Sequence, residues 1–526
     1  MGPEGPPGSN NEKGNMEAEF EKGGGIIVSV EEGVALNASG HKDQLKRQYG
    51  LLGICGLALN IDNAWIALGG SVSIAIFNGG PPGVLYELIV ACSYYAVVAA
   101  CIAELSSAIP SAGGVYHWAS VTPGVKYGRA LGFFAGSINF FGWLFDLASI
   151  TQIVSNVCVQ LYFTFHPDLV IEPWHTFIAY VLITLLVTAI CIFANRTIPT
   201  LQNIGMFVVI VGGLVTIIIL AAMPKTHASN SFVWKDFNNQ SGYSDGVAFL
   251  TGVLNGAFAI GTVDAITHLA EELPNPKVDM PKGVAAQIIL GFLTAFVFGI
   301  ALFYSINDLD VVLNAQGAFP LAAIYAQATG NRGGTFGLLF IVLLSLFICL
   351  IGTLLTCGRI WWSLARDNAT PFAKLFSSVN EQLSCPIPAT LLCSVISIGL
   401  GAINLGSDQA FKDLAGSFII LTSTSYVIAI APNIFTGRKN VPKGPFHMGS
   451  AGFLVNSTAC ILIVFFNIMY CFPFALPTTV KDMNYNSVIL VGITVLTATW
   501  WFVHGARKYP GPKMTHMYLD GVEKKT

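Results

Sequence analysis

GLLGICGLALNIDNAWIALGGSVSIAIFN, residues 50–78, decides how the chain is read. Both ends are apolar enough for lipid, and the stretch is long enough to span a bilayer. Its middle is not apolar: Asn60, Asp62 and Asn63 fall near the centre, and Trp65 follows at once. A charge at bilayer depth is costly unless it faces a cavity or a partner. The arrangement that avoids this penalty is a transmembrane helix broken midway, with freed backbone groups and the Asp–Asn cluster lining a binding site. A kinked helix in a soluble core is the alternative, and composition argues against it.

Of 526 residues, 53% are hydrophobic and 10% charged, where a soluble domain carries about 25% charge. The mean hydropathy is +0.64. These values describe a polytopic membrane protein. The net charge of -3 and the lack of a basic stripe give no reason to expect nucleic acid. Most of the eleven cysteines, Cys55, Cys101, Cys158 and Cys349 among them, lie in apolar segments without CxxC or zinc spacing. They read as small apolar residues. The histidines scatter singly and there is no HExxH or P-loop, so no metal, cofactor or enzyme is expected. Residues 1–48 are polar and rich in Gly, Glu and Lys. They are expected to form a disordered cytosolic tail, not a signal peptide. Position 6 holds no Ser or Thr, which argues against myristoylation.

Twelve apolar segments fit a helical span: 51–77, 83–107, 128–161, 174–195, 198–223, 246–268, 282–306, 334–360, 388–405, 410–432, 450–472 and 486–505. The third is too long to cross straight and must tilt or project. With the N-terminus in the cytoplasm, 21 of the 26 Lys and Arg residues fall inside. Lys225, Lys235, Arg332, Lys412 and Lys481 fall outside. Without the two tails the balance is 11 against 5, so both termini are expected in the cytosol.

The sixth segment repeats the peculiarity of the first. GVAFLTGVLNGAFAIGTVDAITHL, residues 246–269, carries Gly252, Gly256 and Gly261, with Asp264 inside it. Segments one and six are five apart and cross in opposite directions. Two interrupted helices in matching positions point to an inverted-repeat transporter. The expected organisation is a twelve-helix transporter domain, 49–505. It divides into a first repeat at 50–223, a second at 246–432 and peripheral helices at 450–505, followed by a cytosolic tail at 506–526. The alternative for the glycines is close helix packing. The two halves share no evident residue-level identity.

Further motifs accumulate: NGGPPGVLYE (78–87), AELSSAIPSAGGVYHWAS (103–120), AEELPNPKVDMPKG (270–283), RIWWSLARDNATP (359–371) and HGARKYPGP (504–512). Together they resemble the amino acid–polyamine–organocation superfamily of secondary transporters over about residues 45–512. LNIDNAWIALGG (59–70) makes the chain most similar to the fungal amino acid/choline transporters. The resemblance implies a LeuT-type five-plus-five fold with peripheral helices 11 and 12, and a substrate held between the breaks of helices 1 and 6.

The carboxyls at membrane depth are Asp62, Asp146 and Asp264, and no Lys or Arg lies well inside a helix. Such a site suits a cation. Phe140, Phe141, Trp143 and Phe145 surround Asp146 in sequence, while Trp65 and Phe258 flank the two breaks. Aromatic faces bind a quaternary ammonium at about 0.5–2 kcal/mol each. Most of the many rings must nevertheless be packing or interfacial residues. The candidate substrate-binding set is Asp62, Asn63, Trp65, Trp143, Asp146, Phe258, Gly261 and Asp264. An amino acid would instead rest its carboxylate on backbone N–H groups of a half-helix, near Gly256 and Gly261. Helix 5 has Gln202 and Asn203 where some proton-coupled relatives place a lysine. Any of the three Asp residues could then carry a coupling proton, since burial disfavours a lone negative charge.

At the cytosolic ends, Glu104, Glu271, Glu272 and Arg359 are candidates for gating or structural ion pairs. Lys126 and Arg129 are near Glu104 in the chain, while Arg359, Arg366 and Asp367 could pair with the Glu271–Glu272 connector. The expected function is proton-coupled import of a small organic cation, choline first, across the plasma membrane. An amino acid or γ-aminobutyrate permease of the same fold is the alternative. A nutrient-sensing role is disfavoured by the short tails. Asn239, in an NQS triplet, is the one outward sequon in this topology.

Overall fold

The computed structural model describes residues 29–31, 34–41, 45, 47, 49–70, 72–315, 317–407, 409–480 and 483–523. Twelve helices among them are long and apolar enough to cross a membrane. In chain order, spans 1 to 12 are Leu51–Gly70, Ile76–Ala108, Val125–Phe165, Pro173–Phe193, Asn195–Ala222, Asp245–Glu272, Pro276–Tyr304, Arg332–Arg366, Ile387–Leu405, Lys412–Phe435, Ala451–Met469 and Asn486–Lys508. The protein is a multi-pass, all-α membrane protein. The hydropathy limits fall close to these bounds. Span 3 is the long one, as expected, because 41 residues of continuous helix overrun the bilayer. Within span 2, near its start, Gly80 at φ 67° and the pair Pro81-Pro82 kink the helix.

Both expected breaks are present. Span 1 is two helices, Leu51–Asp62 and Ala64–Gly70. Span 6 is an α-helix, Asp245–Ile260, followed after four residues by a 3-10 helix, Ala265–Glu272. The packing supports the five-plus-five repeat independently of any sequence identity. Span 1 packs on span 7 as span 6 packs on span 2, and span 3 on span 10 as span 8 on span 5. Spans 1 and 5 pair as spans 6 and 10 do, and spans 3 and 9 as spans 8 and 4. Each pairing maps onto its partner when spans 1–5 are exchanged in order with spans 6–10. Span 12 is the least buried, at 11% of its window, and span 11 follows at 28%, so both are peripheral.

The termini lie on one side. A short helix, Val115–Val121, is fully buried there between spans 2 and 3. Residues 1–28 of the expected disordered tail lie outside the described residues. Within 29–48, β1 (Ser29–Glu31) and β2 (Val34–Leu36) pair antiparallel, and Asn37, Ala38 and Ser39 are buried against the helical body. The C-terminal segment ends in a helix, Met514–Glu523, with Met514 and Leu519 buried.

Candidate functional site

Asn63 makes the first break. It adopts the left-handed conformation, φ 38° and ψ 45°, which Asn tolerates better than most residues. Its N–H still closes the first half on the Leu59 carbonyl at 2.9 Å, and its carbonyl accepts from Ile66 and Ala67 at 3.0 Å to open the second. In span 6 the break is held by Thr262 and Asp264, whose carbonyls accept from Ala265 and Thr267 at 3.1 and 2.9 Å. Gly261 stands where a Cβ would meet the Ala257 carbonyl and the Ile419 side chain, so only glycine fits. Gly252 and Gly256 pack directly on Glu87, Leu88 and Ala91 of span 2. They serve close helix contact and do not offer their amides to a ligand.

The three carboxyls differ sharply in their partners. Asp264, fully buried, is saturated. Its Oδ2 accepts from Asn139 Nδ2 at 2.8 Å and sits 3.3 Å from His268 Nε2. Its Oδ1 accepts from Tyr426 OH at 2.7 Å and Trp143 Nε1 at 3.2 Å. Asp62 is half satisfied: Oδ1 accepts from Thr262 Oγ1 and Gln287 Nε2, both at 3.1 Å, while Oδ2 faces Gly291 of span 7. It therefore ties the two breaks to span 7 and does not cap its own half-helix. Asp146, 2% exposed, has no hydrogen-bond partner at Oδ2 among the described residues. Asn63, 1% exposed, has none at either side-chain atom. A buried polar atom left without a partner costs about 1–3 kcal/mol, and Asp62 Oδ2 and Trp65 Nε1 share that condition among the described residues.

The rings fall into two groups. Trp143 lies 5.7 Å from Phe418, and Phe258 lies 6.4 Å from the same ring, centroid to centroid. Phe418 of span 10 thus joins the two predicted rings into one cluster beside Asp264. Trp65 does not belong to it. Its ring packs edge-on to Phe298 at 5.1 Å and against Gly213 of span 5, and it is 1% exposed. The half-helix after Asn63 turns Trp65 outward, so the expected placement in a common aromatic box does not hold. Phe140 packs against Trp361, ring centroids 4.4 Å apart and tilted by 38°. Asn139, His268, Gln287, Phe418 and Tyr426 were not among the predicted residues. Asn139 precedes Trp143 by four residues and His268 follows Asp264 by four, and one helical turn is the local signal that pairs each.

On the side of the termini, the Glu–Arg pairing expected from sequence is present. Arg359 Nε meets Glu272 Oε1 at 3.0 Å, and Arg366 grips Glu271 at 2.6 and 3.0 Å. Ser39 Oγ adds a bond to Glu271 at 2.8 Å. Asp367 does not join the glutamates. It accepts from His41 Nε2 at 2.9 Å, Tyr116 OH at 3.0 Å and His117 Nε2 at 3.3 Å. Burial alone would raise its pKa, yet the hydrogen bonds from His117 and His41 hold its carboxyl well below the usual carboxylate range. Glu104 pairs with Arg438 and His447 of the segment between spans 10 and 11, not with Lys126 or Arg129. Arg129 instead lies over Trp501, 5.4 Å from the ring centroid. On the far side, the Asn239 amide donates to the Tyr243 carbonyl at 2.7 Å and Asp245 at 3.1 Å. A cavity of about 390 Å³ there is lined by Gln160, Phe319 and Arg332 among others. Its one charged side chain is basic, which does not suit a cation.

The fold is that of a membrane carrier, with a buried polar cluster between two broken helices and ion pairs on the side of the termini. Comparison with known proteins agrees. Residues 50–495 match the family model described as amino acid permease. A choline transporter of Saccharomyces cerevisiae is 31% identical over 90% of this chain and 83% of its own length. A putative amino acid/polyamine transporter of Macrophomina phaseolina is 26% identical over 82% and 96%. An amino-acid permease of Arabidopsis thaliana is 25% identical over 91% and 96%.

Proposed function

Because the chain belongs to the amino acid permease family of membrane transporters, we propose that it imports a small organic cation, with choline the first compound to test, and that protons drive it. The observation carrying this reading is Asp146. Its Oδ2, like Asp62 Oδ2 and both oxygens of Glu87, lacks a partner among the described residues; Asp62 is held through Oδ1 by Thr262 and Gln287, Glu87 packs against Gly252, and Asp264 is saturated. Asp146 sits three residues along span 3 from Trp143 and the ring cluster. A quaternary ammonium has no donor hydrogens, so it needs a carboxylate within electrostatic range and aromatic faces, each contributing about 0.5–2 kcal/mol. The likeness to a choline transporter supports the same chemistry.

In this reading both termini are cytosolic and the membrane is the plasma membrane. The excess of Lys and Arg on the side of the termini supports the orientation. An inside-negative potential then adds about 2.3 kcal/mol per charge per 100 mV to cation uptake. An amino acid or γ-aminobutyrate remains the second reading. Asn63 favours it, because its unpartnered amide could donate to a substrate carboxylate. Cells lacking choline uptake, expressing this chain and given labelled choline, γ-aminobutyrate and arginine side by side, decide between the two. Choline uptake that rises in acid medium and collapses with a protonophore is the expected result. Uptake of γ-aminobutyrate without choline would overturn it.

A further inference from the structure

His268 is 1% exposed and both of its ring nitrogens face oxygen acceptors. Nδ1 lies 3.1 Å from the backbone carbonyl of Ala112, in the loop after span 2. Nε2 lies 3.3 Å from Asp264 Oδ2. A carbonyl oxygen cannot donate, so Nδ1 must carry a hydrogen. The bond to Asp264 then needs a second hydrogen, on Nε2 or on the carboxyl. Either way the pair holds one proton more than a neutral imidazole beside a carboxylate. We infer that the His268–Asp264 pair is the site that binds the coupling proton, and that its proton latches the side of the termini shut. This inference rests on the proton-driven reading above.

The latch follows from where the bonds lead. His268 ties span 6 to the loop that carries the buried helix Val115–Val121, and its ring packs against Gly114. Asp264 ties the same break to Asn139 and Trp143 of span 3 and to Tyr426 of span 10. When the proton leaves, one ring nitrogen presents a lone pair to an acceptor oxygen. One of the two contacts must then open. Loss of the Ala112 bond frees span 6 from that loop, and loss of the Asp264 bond, within span 6, takes one partner from the carboxylate held by spans 3 and 10.

The charged and titratable surroundings leave the pair as the proton holder. Tyr95 of span 2 and Tyr426 are phenols, in electrostatic reach of Asp264. Asp146 of span 3 and Asp62 of span 1 are the neighbouring carboxyls. Of the bases on span 8, Arg359 is bound to Glu272 and Arg366 to Glu271, and Arg332 lies at the far end. His117 of the buried helix Val115–Val121 points away, to Asp367.

The test uses the full chain in liposomes with a pH-sensitive dye inside and choline outside. Wild type is expected to acidify the lumen as choline enters. His268→Gln is expected to keep choline counterflow while choline-driven acidification falls to the leak of protein-free liposomes. Acidification retained in His268→Gln overturns the inference and leaves the proton-driven reading intact. Choline entry without acidification in wild type overturns both. Tyr426→Phe guards against a misfolded first variant. Removing one donor from Asp264 disfavours its charged form, so the pair holds its proton more tightly. The midpoint of the pH profile of uptake should move about one unit toward alkaline pH, as for one lost charge-assisted hydrogen bond. An unchanged profile in Tyr426→Phe also overturns the assignment.

Discussion

Asp146→Asn isolates the charge that the proposed cation would meet. The substitution keeps the shape of the side chain. It breaks no hydrogen bond at Oδ2, because that atom has none among the described residues. Delivery to the membrane should therefore be normal. The lost attraction follows from Coulomb's law. At a separation of about 5 Å and an effective dielectric of about 20, a carboxylate and an ammonium attract by about 3 kcal/mol. That corresponds to a rise in the choline KM of roughly a hundredfold. The control is the uncharged isostere of choline in which carbon replaces nitrogen, assayed by its inhibition constant. It fills the same space and touches the same rings, so its constant should not move. A choline KM unchanged in Asp146→Asn, or a parallel loss for choline and the isostere, would refute the electrostatic argument.

Trp65→Leu should lower thermal stability in detergent by on the order of 2–4 kcal/mol, because it empties the space between Phe298 and Gly213. It should leave the choline KM unchanged; a raised KM at normal stability would return Trp65 to the site. Asp367→Asn removes the anion that receives bonds from His41 of the N-terminal segment and from Tyr116 and His117 of the buried helix Val115–Val121. A loss of about 2 kcal/mol is expected at neutral pH. Since its folded pKa lies below the ordinary value of about 3.9, the wild-type advantage is fully present above that value and disappears only as pH falls through the folded pKa. Melting curves that converge already at pH 6 would show that a histidine, not Asp367, controls this contact. Gly252→Ala would drive a Cβ into the Glu87 carboxyl and should deplete the protein from the membrane; Glu87→Ala in the same chain should restore it, and failure to do so would place the clash elsewhere.

What the sequence made legible were features with a steep penalty. A charge in lipid and glycines beside it located both breaks. The Arg359 and Arg366 pairings with Glu272 and Glu271 followed from opposite charges at two adjoining helix ends. Ring direction was not legible. Trp65 follows one left-handed residue, and the rotation of the half-helix behind Asn63 decides whether the indole meets Trp143 or Phe298. Nothing local sets that rotation. Phe418 was hidden for another reason: it is one of 36 phenylalanines, and span 10 carries it on an otherwise apolar turn. His268 needed a non-local partner, the Ala112 carbonyl, before its protonation could be reasoned about. Glu104 found Arg438 over Arg129 because spans 2 and 11 pack together, a contact no linear neighbourhood reveals.

The two Asp residues in the breaks show how a repeat can be symmetric in shape and asymmetric in task. Spans 1, 2, 6 and 7 pack chiefly on one another, and spans 3, 4, 8, 9 and 10 form the other packing group. The partners of Asp62, Thr262 and Gln287, lie in spans 6 and 7, inside its own group. Its bonds can persist if the first group moves as a body. Asn139, Trp143 and Tyr426, three partners of Asp264, lie in spans 3 and 10, across the boundary. Relative motion of the two groups must break those bonds. An anion stripped of such donors in a buried setting is strongly disfavoured. A cation arriving at Asp264 offsets that loss. The carboxyl that bridges the groups is therefore the one whose charge state can be coupled to their separation, while Asp62 holds the moving group together.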